Sequence, residues 1–411
     1  ILLIQYSVEN YKSIKDEITI NFSAGKKYCN EPGIYKNEKV APLYKCLGLI
    51  GPNASGKTNI IRSFLFAVRF IINTIERKDN AKIKIDRFRF DKANLEKPAT
   101  FEFIFYHEEV KYIYGFSLNE KEIVEEYLMG YFTAKPKTWF ERLEGQHYEF
   151  KGNDVKIQRE IAKKTNKNRL YMPVAAEWGY EPLKVVYEWF HLIARQYENF
   201  DISSMIEQII QNEKQKKMFI SELKNADFDI ADIYVKKQKI DQRAYDFVKR
   251  IVAEFVGEAD EDMLPDVRPI VHLVHQNSKG ESLDIAIDED SAGTSKIVQN
   301  IAELFYLRGE GGVILEDELG KTYHTKLTQH FLKLFMSDNI NSGNVQLLFT
   351  SHDTKLLNLL NPDQIYLVDK NDEGATYVKL LDDFQIRESE NIELGYLKGR
   401  YGSIPYMRGE K

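Results

Sequence analysis

Three features of this sequence predict a mixed α/β fold. An apolar strand, Lys45–Ile50, runs straight into the glycine loop Gly51-Pro52-Asn53-Ala54-Ser55-Gly56-Lys57-Thr58, and a helical apolar pattern follows it. Two short apolar runs typical of buried parallel strands, Gly312–Leu315 and Val345–Thr350, lie far along the chain. Between these regions, alternation from Thr100 to Phe150 reads as antiparallel strands. The core is therefore expected to draw on both ends of the chain.

The bulk numbers agree with a soluble, folded protein. At about 150 residues per domain, 411 residues make two or three units. A hydrophobic share of 43% with 29% charged residues excludes a disordered chain and a membrane-embedded one. The longest apolar stretch, Phe64–Ile72, contains Arg69 and falls short of the roughly 20 residues a spanning helix needs, so no membrane partner is expected. No basic-then-apolar leader opens the sequence, and the cytoplasm is the expected location. Cys29 and Cys46 lack the paired spacing of zinc or redox sites and are expected to be buried thiols. A net charge of −6 rules out a uniformly basic nucleic-acid glove but leaves room for a local basic patch.

In chain order, strands are expected at Leu2–Val8, Glu17–Phe22 and Lys45–Ile50. The loop helix is expected over Asn59–Ile72, with Ile60, Ile61, Phe64, Leu65, Val68 and Ile72 at helical spacing. A hairpin over Thr100–Leu118 turns at His107-Glu108-Glu109, with strands to follow at Val124–Phe132 and Thr138–Phe150. Residues 155–255 are lysine-rich and read as helical, most clearly at Ile202–Leu223 and Gln242–Val256. Strands resume at Ile270–His275 and Ser282–Ile287, a helix follows at Ser295–Leu307, and a last hairpin pairs Gln364–Asp369 with Ala375–Leu380 before a short tail. The resulting division is 1–150, a helical insertion at 151–265, and 266–411.

The glycine loop matches G-x-x-x-x-G-K-[ST] in full and has the strand and helix that the pattern requires. Its glycines let backbone N–H groups turn inward as an anion nest, and the helix directs its positive N-terminal end to the same place. Residues Asn53, Ala54, Ser55, Gly56, Lys57, Thr58 and Asn59 are thus candidates for cradling ATP. Lys57 would reach the β- and γ-phosphates and Thr58 would hold Mg²⁺. Gly312–Leu315 ends in Glu316-Asp317-Glu318, an apolar strand followed by acids. Asp317 is the second candidate Mg²⁺ ligand, and Glu318 is the candidate to orient or deprotonate water. Glu316 reads either as part of this set or as a solvent-facing acid. Thr350-Ser351-His352-Asp353 places a polar cluster at the end of another buried strand, where open α/β sheets bind ligands. His352 is the candidate sensor of the γ-phosphate.

Taken in order, Gly51–Thr58, Ser291-Ala292-Gly293-Thr294, Asp317-Glu318 and Thr350–Asp353 resemble the phosphate loop, signature, acidic strand end and switch histidine of ABC-type ATPase heads. The opening Val8-Glu9-Asn10-Tyr11-Lys12-Ser13 is similar to the start of such heads. Leu394–Pro405 is similar to the ending of AAA-type ATP-binding proteins from bacterial abortive-infection and anti-phage systems. The resemblance covers about 1–150 and 265–411. It implies an ABC-ATPase-like head, a mixed sheet with a phosphate-loop core and an antiparallel β subdomain, carrying a helical insertion. It further implies a homodimer or higher oligomer in which Ser291 and Gly293 of one copy close over ATP·Mg on another. The implied function is a nucleotide-controlled sensor or scaffold in anti-phage defence that holds or activates a separate nuclease or toxin. The alternative is a DNA repair or chromosome-maintenance ATPase, though no sustained heptads appear between 155 and 265. Three departures stand out: a shortened signature, no assignable Q-loop glutamine, and Gly320-Lys321-Thr322-Tyr323-His324 where an acid-containing stretch is usual.

Several weaker features leave their alternatives open. Ser291–Thr294 also reads as a helix N-terminus capped by Asp290 or Ser291. The run Lys163–Arg169, with Lys214–Lys217, could contact nucleic-acid phosphates or be a solvated helix end. His272 and His275 lack a third ligand and read as strand residues. Any cutting activity is expected on another protein.

Overall fold

The computed structural model describes all residues except 152–153, 199–200, 227, 242, 244, 248–266, 388–389 and 405–411. It divides into two compact units, residues 1–199 with 307–411, and residues 200–306. This division differs from the expected 1–150, 151–265 and 266–411. The helices Val155–Lys164, Tyr171–Glu177 and Glu181–Glu198 belong to the first unit. The reason is apolar burial: Leu183, Val186, Trp189, Phe190 and Ile193 are all fully buried, and Trp189 stacks on Phe105 of the sheet at 4.3 Å.

Among the described residues, the first unit has two large sheets and one small two-stranded one. One is antiparallel and seven-stranded, in the order His147–Phe150, Lys137–Leu143, Ile123–Tyr131, Val110–Leu118, Ala99–His107, Leu2–Glu9 and Ile18–Asn21. The other large sheet has five strands, in the order Val313–Glu316, Gln346–Ser351, Cys46–Ile50, Ile365–Lys370 and Thr376–Leu380. All its pairings are parallel except the last hairpin. The central strand Cys46–Ile50 is buried at every residue, as its continuous apolar run requires. The helix Lys57–Asn73 buries Ile60, Ile61, Phe64, Ala67, Val68 and Ile71. Phe64 meets Tyr6 and Phe103 of the antiparallel sheet at 5.0 and 5.3 Å. Where the chain returns at Gly312, Gln196 accepts a hydrogen bond from the Val313 N–H at 3.2 Å and the Tyr197 hydroxyl donates to the Val313 carbonyl.

The second unit begins with helices Ile202–Gln211 and Glu213–Asn225 but is not wholly helical. Ile230–Lys239 is a strand in a three-stranded antiparallel sheet with Val267–Gln276 and Ser282–Ala286. Its lysines suggest a solvated helix in sequence, yet Lys236, Lys237 and Lys239 are exposed on an edge strand, where lysine is equally at home. The expected helix Gln242–Val256 lies almost wholly outside the described residues. The strand expected over Thr138–Phe150 is broken by a turn at Glu144–Gln146, where Gly145 has φ 76°. A small hairpin, Ile34–Asn37 with Val40–Tyr44, and helices Thr325–Met336 and Ile392–Leu397 were not expected. The first of these helices is capped by His324, whose ring nitrogen accepts from the Lys326 N–H at 3.1 Å. Histidine is a weak start signal.

In the first unit, one buried charge ties sheet to helix. The Glu126 carboxylate accepts from the Tyr171 and Met172 N–H groups at 2.6 and 2.8 Å and from the Tyr114 hydroxyl at 3.0 Å, with Arg142 3.6 Å away. Burial pushes Glu126 above the usual carboxylate range, while Arg142 and the two amides pull it down. Arg142→Met, which strands this carboxylate, should destabilise the first unit by about 3–5 kcal/mol. Adding Glu126→Gln should recover much of that loss in denaturant melts.

Candidate functional site

The parallel sheet brings its functional residues to one edge, because Cys46–Ile50, Gln346–Ser351 and Val313–Glu316 all end there. The phosphate loop leaves the central strand, and Gly56 stands at the helix start with φ 108°, which favours glycine. A Cβ on Gly51 would collide with the Val368 carbonyl, and one on Gly56 with the Thr376 hydroxyl. Lys57 folds back so that its Nζ donates to the Gly51 and Pro52 carbonyls, each at 2.7 Å. Burial pushes this ammonium down to about 8, against the pull of Asp317 and Glu318. The Ser55 hydroxyl is buried without a hydrogen-bond partner, an orphan in a loop shaped for an anion.

The acid strand end reaches this loop across one intervening strand. Thr58 Oγ1 donates to Asp317 Oδ1 at 3.1 Å. Thr350, at the end of the intervening strand, donates to the same oxygen at 2.7 Å and accepts from the Glu318 N–H at 2.7 Å. One hydroxyl therefore sets both acids. Glu318 has φ 61°, which swings its side chain away from the strand line. Its carboxylate pairs with Lys321 and lies 3.7 Å from His352 Nε2. Lys321, and then His352, hold Glu318 below the usual carboxylate range, so it is ionised at neutral pH. His352 Nδ1 lies 3.4 Å from the Gly51 carbonyl, which links the acid strand end back to the loop. A cavity of about 380 Å³ is lined by residues 53–59 with Arg62, Glu318, Thr350, His352 and Lys370.

The opening segment supports this edge from below. Asn10, at φ 53°, donates to the Asn94, Lys97 and Pro98 carbonyls and accepts from Phe88 N–H. Ser13 Oγ contacts Thr376 Oγ1 at 2.8 Å and accepts from Asn59 at 2.7 Å, and Thr376 in turn donates to the Ser55 carbonyl at 2.9 Å. Ser13 and Thr376 thus clamp the loop from two distant parts of the chain. Neither was singled out as a site residue, nor were Thr350, Lys321 and Arg62. The motif Asn10–Ser13 was the one signal available for Ser13. Thr350 lies within the Thr350–Asp353 cluster, Arg62 is carried on the loop helix and Lys321 comes round by the turn at Glu318, while Thr376 is brought in by strand order, which a linear pattern does not carry.

The structure brings Glu318, His352, Asp317 and residues 53–59 together, whereas Ser291 and Gly293 lie in the second unit. The Ser291 hydroxyl accepts from the Thr294 N–H at 3.1 Å just before the helix Ala292–Leu307. It is a helix cap. His272 and His275 each face a carboxylate, Asp284 at 2.9 Å and Asp290 at 2.8 Å. Most of the basic run is committed within the first unit: Asn168 and Arg169 donate to the carbonyls of Lys78, Ala81 and Arg77, and Lys163 pairs with Glu160. Cys46 is buried as expected, but Cys29 is only half-buried.

A family model described as "AAA domain, putative AbiEii toxin, Type IV TA system" matches residues 46–358. That span runs from the strand before the phosphate loop past His352. The chain belongs to this family. No curated protein matches the sequence. Among solved structures, an SMC head domain from Thermotoga maritima is similar at 12% identity and a TM-score of 0.39, covering 92% of this chain and 99% of its own. An Smc head with an extended coiled coil, bound to the C-terminal domain of ScpA from Pyrococcus furiosus, gives 12% identity and 0.40, with 93% and 97% covered. Membership of the AAA-domain family and the arrangement above make this a P-loop ATPase of mixed α/β fold with a large antiparallel sheet beside the phosphate-loop sheet. No helix among the described residues is long and apolar enough to cross a membrane.

For this AAA-domain chain, Gly56→Ala combines overlap with Thr376 and an unfavourable φ, each worth about 1–3 kcal/mol. The variant should melt several degrees lower and lose nucleotide binding in a titration.

Proposed function

We propose that this chain binds and slowly hydrolyses ATP·Mg, and that its nucleotide state controls a separate toxic effector in bacterial anti-phage defence. The observation that carries the first half is the convergence of Lys57, Thr58, Glu318 and His352 on one cavity, with Asp317 bonded to Thr58 and the unpartnered Ser55 hydroxyl inside the loop. The second half draws on the family's description, which names a toxin and a toxin–antitoxin system, and on the ending Leu394–Pro405.

The site's chemistry is positioning and charge stabilisation. The loop amides and the helix N-terminus bind the phosphates. Lys57 exchanges its two carbonyl partners for phosphate oxygens, which are better acceptors for a half-desolvated ammonium. A hydroxyl and a carboxylate within 3.1 Å of each other, Thr58 and Asp317, form a hard-oxygen pair suited to Mg²⁺. Mg²⁺ held there would neutralise charge developing on the β- and γ-phosphates. Glu318, ionised and turned toward the cavity, aligns the attacking water and accepts its proton, while His352 donates toward the γ-phosphate. In an ATP-bound dimer, Ser291 and Gly293 of the second copy would cover that phosphate.

Lys57→Ala should abolish ATP binding, whereas Glu318→Gln should bind normally and lose turnover by about 10²-fold or more. Wild-type turnover in Glu318→Gln would remove that residue from the mechanism. Affinity purification of Glu318→Gln, expressed with its neighbouring genes and ATP present, should retain a stoichiometric nuclease or small toxin. Recovery of self-oligomers carrying DNA would instead favour a repair or chromosome-maintenance ATPase. Lys321→Met should let Glu318 rise toward its ordinary value, so the acid limb of the turnover profile should move to higher pH. An unmoved limb would show that the ion pair does not tune the base.

A further inference from the structure

We propose that His107, Glu108 and Glu188 form a divalent-metal site that fastens a hairpin turn to the helix Glu181–Glu198, apart from the nucleotide site. His107 ends the strand Ala99–His107, and Glu108 and Glu109 form the turn with φ 45° and 64°. The helix is fixed against this strand by the Trp189–Phe105 stack at 4.3 Å and by Phe190 edge-on to Phe105 at 5.6 Å. That packing brings Glu188, one residue before Trp189, beside the turn. The donor atoms of all three residues lie within 4.8 Å of one another.

Two further observations point to a cation. His107 is only 8% exposed, and its Nε2 is shut off from solvent with no hydrogen-bond partner. A buried ring nitrogen left unpaired is costly and uncommon. The two glutamates are exposed, and among the described residues neither pairs with a lysine or arginine. Two carboxylates this close concentrate negative charge that a divalent cation would offset.

The donor set defines the ion. Donors at about 2 Å from a tetrahedral ion are about 3.3 Å apart, a spacing that rotation of the exposed glutamate side chains can reach. One imidazole nitrogen and two carboxylates, with a fourth position left for water, suit a first-row ion such as Zn²⁺ better than Mg²⁺, which prefers an all-oxygen octahedron. The site would staple sheet to helix.

The test is a Zn²⁺ titration of the chelator-stripped full chain without nucleotide, followed by melting. Wild type should take up one equivalent that Glu108→Gln and Glu188→Gln lose or bind at least tenfold more weakly, while Asp317→Asn retains it. At about 100-fold above Kd, Zn²⁺ should raise the melting temperature of wild type by about 5 °C, and that of neither Gln variant. Both Gln substitutions are on exposed side chains, so folding is preserved even where His107→Ala would fail. The proposal is overturned if wild type takes up no Zn²⁺ at micromolar concentration. It is equally overturned if both Gln variants keep the equivalent, or if Asp317→Asn removes it.

Discussion

No side chain fits between the phosphate loop and the hairpin Ile365–Leu380, and the rest of the first unit is arranged around that contact. Val368 and Thr376 press on the backbone at Gly51 and Gly56 so closely that only glycine is admitted. Thr376 is itself held by Ser13, and Ser13 by Asn59 at the start of the loop helix. A closed ring of short hydrogen bonds thus joins the opening segment, the loop and the closing hairpin. Its effect is preorganisation: the loop amides are held in place by packing before any phosphate arrives.

The acids are governed by a second constraint, strand order. Val313–Glu316 is not a neighbour of the loop strand; Gln346–Ser351 lies between them. The reach is bridged by Thr350, whose hydroxyl meets Asp317 and the Glu318 amide together. Because Phe349 pairs with Glu316 and Thr350 with Leu49, the spacing between acid and loop is set by sheet register and not by any flexible segment.

Much of this was legible in the sequence, and the reasons are physical. Residues 51–58, Asp317, Glu318 and His352 announce themselves because each follows a run apolar enough to be a buried strand, and chemistry at a strand end is a local pattern. The partners that tune them are not local. Lys321 stood out only as a departure, and its pairing with Glu318 depends on the turn at Glu318. Thr350, Ser13 and Thr376 act across sheet neighbours that sequence order separates. The helical reading of 155–255 runs over a strand for a related reason: lysine-rich composition describes a solvated face, and an edge strand such as Ile230–Lys239 offers one as readily as a helix does. Ser291 carried two readings, and its hydroxyl is engaged as a helix cap.

The hydrogen bonds of Gln196 and Tyr197 to Val313 bear on how such a protein can change. They fasten the point where the chain leaves the first unit to the point where it returns, so the polypeptide between them is a closed excursion. Lengthening such an excursion costs only slowly growing loop entropy, and it moves neither the sheet register nor the loop. Changes of length within residues 200–306 can therefore leave the ends of the excursion fastened at Gln196, Tyr197 and Val313.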